Sequence, residues 1–480
     1  MASQETDLGD LPLFAATKKV YPQSVSGPYR RAKWIILALC LGVYYLLPFL
    51  RWDRGPNLPD QAVLLDLANA RFYFFFIEIW PQEVYYFTGL LILAAFVLFM
   101  MNAVAGRVWC GYLCPQTVWT DLFLAVERFF EGDRRERIKL DEGPWTANKV
   151  WRKSAKHVVW LLIAWWTGGA WVLYFADAPT LVHDLATLQA PFTAYAFIAI
   201  LTFTTYSLAG IMREQVCNYM CPWPRIQAAL TDDDALNVTY RYDRGDPRVS
   251  VKQAERLRAK GEPAGDCVDC RQCVAVCPTG IDIRDGAQLD CIQCGLCIDA
   301  CDNVMEKISR PKGLIGYDTD DNVKRRIAGE KPVYNPLRLR TMIYAALIVV
   351  VGGAMVFQLA TRRTIELSVL HDRSPLFVRL SDGSIRNAFT IRILNKRPDE
   401  RPVALTVHGL PGIRIEAVGV AATADLRPVV SVAPDSSREV RVLVTLPPDI
   451  RPEKTQTITF TAADLFAGEK VTATDHFIAP

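Results

Sequence analysis

Five long apolar stretches, two cysteine runs of ferredoxin spacing and a carboxyl-terminal stretch of alternating polar and apolar residues predict a multi-domain membrane protein. Its expected parts are a five-span α-helical bundle, a cytoplasmic bacterial two-[4Fe–4S] ferredoxin-like domain and a C-terminal all-β immunoglobulin-like sandwich. The boundaries read as an amino-terminal segment at 1–33, four spans within 34–230, the ferredoxin-like domain with its tether at 231–340, a fifth span at 341–360 and the sandwich at 361–480.

The bundle rests on hydropathy. Segments 34–50, 84–106, 158–176, 192–212 and 342–360 are apolar enough to cross hydrocarbon about 30 Å thick, which takes roughly 20 helical residues each. The whole chain has 480 residues, 51% of them hydrophobic. Its mean hydropathy of +0.12 suits spans mixed with water-facing modules. A polar leader precedes the first span and no small-x-small cleavage site follows it, so this span reads as an uncleaved anchor.

Orientation follows from the basic residues. Lys18, Lys19, Arg30, Arg31 and Lys33 crowd the leader, and 107–156 carries Arg128, Arg134, Arg135, Arg137, Lys139, Lys149, Arg152, Lys153 and Lys156 among others. The stretch DAPTLVHDLATLQA has none. The positive-inside rule then puts 1–33, 107–156 and 213–340 in the cytoplasm, and five spans leave 361–480 outside. The aromatic clusters RFYFFFIEIW and EVYYF read as the outer interfacial belt. Glu78 and Glu83 read there as solvated belt residues, with a quinol contact as the alternative. A net charge of +3 with no basic cluster argues against nucleic acid.

The cysteines carry the strongest chemical signal. Residues 267–278 read CVDCRQCVAVCP and 291–302 read CIQCGLCIDACD, both C-x2-C-x2-C-x3-C. In that spacing three cysteines wrap one cubane and the fourth reaches the other. One cluster would take Cys267, Cys270, Cys273 and Cys301, the other Cys291, Cys294, Cys297 and Cys277. Asp302 replaces the usual final proline, which removes no ligand. Zinc is the alternative, but its C-x2-C pairs are normally split by a longer spacer. Reduced cytoplasmic thiols disfavour disulfides. No dinucleotide or phosphate-loop signature is present. None of His157, His183, His371, His408 and His476 lies mid-span, so a bis-histidine haem is disfavoured.

Two further pairs stand at the ends of apolar spans. VWCGYLCP holds Cys110 and Cys114, and QVCNYMCP holds Cys217 and Cys221, spaced 107 residues apart at both positions. On one helix i and i+4 share a face, so each pair would present two sulfurs together. Pro115 and Pro222 would leave an irregular helix end. If the second and fourth spans pack together, the four thiols converge. Inert packing is the bland reading, and Cys40 fits it. The functional readings are a redox dithiol, a third cluster or a soft metal site. Thiolates select copper(I), zinc or iron–sulfur iron, and copper(I) suits a neighbouring electron source. Met100, Met101, Met212 and Met220 could add thioethers.

The remaining segments are plainer. Residues 232–266, with YRYDRGDPR and AKGEPAGD, read as a charged tether with a short helix near 251–260. RPVALTVHG, REVRVLVTL and KTQTITFTA read as half-buried strands between the turns SDG, LPG and PPD. No cysteine follows Cys301, so the sandwich lacks an inter-sheet disulfide.

WCGYLCPQ, CNYMCPWPRIQ, CPTGIDIRDG, CIQCGLCIDACDNVM and IWPQ together resemble the FixG/CcoG (RdxA) family of cytochrome c oxidase accessory proteins. The resemblance runs from the first span to the end. It implies a bacterial inner-membrane protein with two [4Fe–4S] clusters and a role in copper supply to a cbb3-type oxidase. Cys110, Cys114, Cys217 and Cys221 would be the copper-handling thiols of a membrane copper(II) reductase, and the eight ferredoxin cysteines its relay. Its partners would be an unknown electron donor and the oxidase assembly factors or copper chaperones. The rival readings are an electron conduit with a dithiol or further cluster, and a copper chaperone or assembly scaffold.

Overall fold

The computed structural model describes residues 19–55, 58–397, 399–420, 427–450 and 453–480, so Lys18 and the start of the leader lie outside the described residues. Two compact units emerge, one of residues 1–52 and 61–355 and one of 53–60 and 356–480.

In the first unit, helix α1 (Pro28–Leu46) starts on a proline whose fixed φ suits a first turn. No side chain of its own caps it. Its orphan amides at Tyr29 and Arg30 instead donate to the Asp299 carboxylate, at 3.3 and 2.8 Å. The aromatic stretch expected as a membrane belt is in part a small antiparallel sheet, β1 (Val63–Asp66), β2 (Arg71–Phe74) and β3 (Ile77–Ile79). Glu78 and Glu83, expected to be solvated, are both buried. Glu78 pairs with Arg71 at 3.4 Å, and Glu83 accepts from the amide of Trp80 at 3.3 Å. A buried carboxylate keeps its charge only beside such donors.

Helix α2 (Tyr85–Ala105) ends at Gly106 in a left-handed conformation, φ 54°. There follow α3 (Val108–Tyr112), α4 (Pro115–Glu131), α5 (Arg134–Glu142), α6 (Ala147–Val172), α7 (Ala178–Ala186) and α8 (Phe192–Thr205). A π-helical stretch, Tyr206–Met212, continues α8, and a second, Val216–Met220, precedes α9 (Trp223–Leu230). Among the described residues four helices are long and apolar enough to span a membrane: Pro28–Phe49, Pro81–Ala105, Phe192–Met212 and Leu339–Ala360. The expected span at 158–176 does not join them. Its helix stops at Val172, and Lys153, Lys156 and His157 occupy the half before the apolar stretch.

The main packing between long helices of this unit is α8 against α6. Gly168 permits it, because a Cβ there would stand 2.9 Å from the Ile198 carbonyl. Helix α4 lies across α6, with Phe123 stacked on Trp160 at 5.4 Å between centroids and the Trp119 indole donating to Thr167. Beyond this apolar contact stands a buried ionic cluster. Glu127, 1% exposed, meets Arg213 at 2.8 Å, Arg137 at 3.1 Å and Lys156 at 3.4 Å. Three cations hold its carboxyl down at about 2 despite burial.

The cluster-binding part is pinned by a two-stranded sheet, β4 (Asn237–Tyr240) against β5 (Ile315–Asp318). Around it lie α10 (Tyr242–Gly245), α11 (Val251–Ala259), α12 (Gln272–Ala275), α13 (Leu296–Lys307) and α14 (Asp320–Ile327), before α15 (Leu339–Ala360). The tether helix expected near 251–260 is α11. Residues 19–27 act as a strap across this unit. Gln23 donates its amide to Ala275, and Ser24 bonds Asp133 through both amide and hydroxyl.

The second unit is a two-sheet sandwich. One sheet orders β10 (Arg414–Ala417), β12 (Ser436–Leu446), β8 (Ile385–Asn395) and β6 (Ile365–His371), with β7 (Val378–Arg379) also on β8. The other orders β11 (Val429–Val432), β9 (Arg401–His408), β13 (Thr455–Asp464) and β14 (Lys470–Ile478). Alternate residues such as Phe389, Ile391, Ile393, Val442, Val444, Ile458 and Phe460 fill the core, as a period of two on half-buried strands requires.

Candidate metal and electron-transfer site

The two ferredoxin runs fold alike. Asp269 and Arg271 in the first, and Gln293 and Gly295 in the second, take left-handed φ of 50 to 74° at matching positions between the cysteines. Left-handed residues in such a loop turn successive amides inward as a nest suited to anions, including the sulfides of an iron–sulfur cluster. Gly295 must be glycine for a second reason: a Cβ would stand 2.8 Å from the Tyr29 ring.

The sulfurs group across the runs. Cys277 of the first run lines one narrow cavity with Cys291, Cys294 and Cys297 of the second, walled by Val238, Ile281 and Ile283, and Cys273 of the first run also reaches its edge. Cys301 of the second run lies where the charges of Cys273, Cys270 and Cys267 bear on it. An all-thiol donor set in nests, buried or half-buried beside apolar side chains except for the exposed Cys270, fits a cubane better than a hard cation. Burial and the neighbouring thiols push Cys291 and Cys301 up to about 12, and a bound cation would favour their thiolate forms against that burial.

The membrane-edge thiols depart from the expected geometry and still meet. Cys110 is helical within α3, but Cys114 is extended (φ −58°, ψ 128°). Cys217 lies in the π-helical turn, and Cys221 is extended (φ −78°, ψ 122°). Proline clashes with a helical residue before it, so the second cysteine of each pair leaves the helix. Neither pair therefore shares one helix face. Pro115 and Pro222 also begin the next helices rather than merely ending the last, at the first position of α4 and the N-cap of α9. Nor does direct span packing bring the pairs together. Helix α2 meets the second motif through α9, by Phe99 stacked on Trp223 and by Asn102 donating to Gln227.

Cys110, Cys114, Cys217 and Cys221 all line one cavity of about 190 Å³. Leu289, Asp290 and Ile292, which flank Cys291, form its far wall. Burial is the main cause that pushes Cys110 and Cys217 up to about 12. Among the described residues no three His, Cys, Asp or Glu side chains are close enough to hold a single ion. The thiols share a chamber, not a coordination sphere. Met220 is exposed. Met100, Met101, Met212 and Met220 are all absent from the cavity lining.

Contact between this chamber and the cluster loops is direct. Gly111 packs so closely that a Cβ would stand 2.8 Å from the Ile292 carbonyl and 3.0 Å from the Cys294 Cα. The Tyr112 hydroxyl donates to the Cys294 carbonyl at 3.0 Å. Arg107 stands between the end of α2 and the first motif. Its amide donates to Gln293 Oε1 at 2.7 Å. Its guanidinium donates to the carbonyls of Leu289, Cys291 and Pro224, the last at 2.8 Å.

A membrane iron–sulfur electron-transfer protein is the class that this fold and these cysteines define. Residues 212–320 match a family described as "4Fe-4S dicluster domain", and 86–131 match one described as "4Fe-4S binding domain". Residues 355–480 match "IG-like fold at C-terminal of FixG, putative oxidoreductase". "Nitrogen fixation protein FixG" of Rhizobium meliloti is 49% identical over 91% of this chain and 88% of its own length. "Protein RdxA" of Cereibacter sphaeroides is 51% identical over 91% of each. A solved FixG-related protein from Vibrio parahaemolyticus aligns over 24% of this chain and 96% of its own, at 21% identity and TM-score 0.21. The chain belongs to the FixG/RdxA family.

Proposed function

We propose that this protein reduces copper(II) to copper(I) in the four-thiol chamber and supplies the product to a cbb3-type oxidase under assembly. The observation that carries the reading is the shared wall: four thiols from two motifs face Leu289, Asp290 and Ile292, the flanks of a cluster-binding loop. The two [4Fe–4S] clusters that the eight cysteines would hold supply one-electron transfer when bound. Cys291, Cys294, Cys297 and Cys277 form the group next to the chamber, and Gly111 keeps the intervening gap to a backbone contact. Soft thiolates favour copper(I) over copper(II), so the chamber itself favours reduction of its substrate. Two sulfurs suffice for copper(I), which accepts linear coordination; a chamber without a three-ligand site is compatible with that. The ferredoxin side faces the cytoplasm in this reading, the immunoglobulin-like unit faces the periplasm, and α6 supplies the fifth crossing.

The test is a Cys110→Ser, Cys217→Ser double variant of the full chain, assayed for bound copper, iron and copper(II) reduction. Copper retention and reduction should both fall while iron stays at about eight per chain. Reduction at the native rate would overturn the reading.

One observation favours a second reading, a further cluster on the four thiols: the first pair lies inside a stretch matching a 4Fe-4S binding family. That reading requires about twelve irons per chain, falling to about eight in the double variant.

A further inference from the structure

The two spans that lead into the thiol motifs each end in an arginine, and the structure treats the two charges differently. Arg213, before the second motif, is neutralised by Glu127 at 2.8 Å. Arg107, before the first, is 7% exposed and bonds only neutral carbonyls, those of Leu289, Cys291 and Pro224. Among the described residues no Asp or Glu forms an ion pair with it. The groups whose negative charge would bear on it most are the thiols of Cys110 and Cys291, followed by Asp290. A buried guanidinium without a carboxylate is costly unless the anion it serves is something else.

We propose that Arg107 is the counter-charge of the cluster held by Cys291, Cys294, Cys297 and Cys277, favouring its reduced form and making it the exit point toward the thiol chamber. Three features place it for that role. It touches the backbone of a ligand residue, Cys291. It bridges both thiol motifs, preceding the first in sequence and bonding Pro224 after the second. It lines the thiol chamber together with Leu289. Adding an electron makes the cluster more negative, and a nearby fixed cation stabilises that state; net charge and hydrogen bonding are the levers that set such potentials. The other cluster's first three ligands, Cys267, Cys270 and Cys273, line no part of the thiol chamber and share no hydrogen bond with Arg107.

This rests on the two-cluster reading but not on copper. The experiment is accordingly a copper-free, EPR-monitored reductive titration of the membrane-solubilised full chain with dithionite, beside iron analysis. In Arg107→Gln one of the two midpoints should fall by at least tenfold in reduction equilibrium, about 59 mV for one electron. The second midpoint and the iron content should not change. Arg107→Lys keeps the charge and should retain most of the native midpoint. Unmoved midpoints in Arg107→Gln overturn the proposal, as do equal shifts in both variants, which would make the residue a spacer. Loss of iron in Arg107→Gln also overturns it, because a counter-charge is not needed to assemble a cluster held by four cysteines. Failure of the native protein to reduce copper would leave these midpoints, and this proposal, untouched.

Discussion

Gly111 lies between the two thiols of the first motif and meets the Cα of Cys294, so that one added methyl group would stand 3.0 Å from it. A thiol motif and a cluster loop, nearly two hundred residues apart in sequence, touch through a residue with no side chain. Gly111→Ala already demands a shift, and Gly111→Val demands more, because the opposing atoms are backbone and cannot swing away. The valine variant should keep its iron and its four thiols yet pass electrons to chamber-bound copper at least tenfold more slowly. Stopped-flow oxidation of the pre-reduced protein by copper(II) measures this.

Copper binding should carry a pH signature. Cys110 and Cys217 are raised to about 12, chiefly by burial, so both are protonated at neutral pH. A metal that takes them as thiolates must release their protons. Copper(I) affinity should therefore climb with pH, by up to about tenfold per unit for each proton displaced. Chelator competition between about pH 6 and about pH 8 reads the slope, and a flat profile excludes these two thiols as ligands.

Glu127→Gln should damage stability without touching any cysteine. It leaves Arg213, Arg137 and Lys156 buried around a neutral amide. Breaking a buried ionic cluster from one side costs about 3–5 kcal/mol. The native protein should show the same dependence through pH. The carboxyl is depressed from 4.5 to about 2, so its contribution is complete above the ordinary carboxylate range and is lost as pH falls toward about 2. Tryptophan fluorescence during thermal unfolding, at a series of pH values, follows both effects.

Asp299→Ala should loosen the joint between α13 and α1. The carboxylate accepts from the first amides of α1, where the helix dipole also favours an anion. Losing it leaves buried donors unpaired at a cost of about 1–3 kcal/mol. Amide exchange at residues 28–31 should accelerate, while exchange in the immunoglobulin-like unit stays as it was.

Sidedness is open to a labelling experiment. Single cysteines replacing Lys260 and Ser381, both exposed, report the ferredoxin side and the C-terminal unit. In intact cells a membrane-impermeant maleimide should modify Ser381→Cys and leave Lys260→Cys untouched until lysis. The reverse pattern, Lys260→Cys labelled and Ser381→Cys protected, would mean that α6 does not cross, because α15 lies between the two positions in either case.

What the sequence determined by itself is the chemistry that local spacing controls. Eight cysteines at ferredoxin spacing name a cluster type because the wrapping of a cubane needs only one short loop, and here both loops repeat the same left-handed turns at 269, 271, 293 and 295. Strand alternation likewise predicted the sandwich, since a period of two reports a buried face directly. The small sheet at 63–79 was hidden, because an aromatic run reads equally as membrane belt or strand. Only the tertiary structure decided how the four membrane-edge thiols meet. Pre-proline geometry took Cys114 and Cys221 off their helices, and α9 rather than span packing closed the chamber. It alone also distinguished Arg107 from Arg213: each follows an apolar span in sequence, but whether a charge is paired depends on what the fold brings beside it.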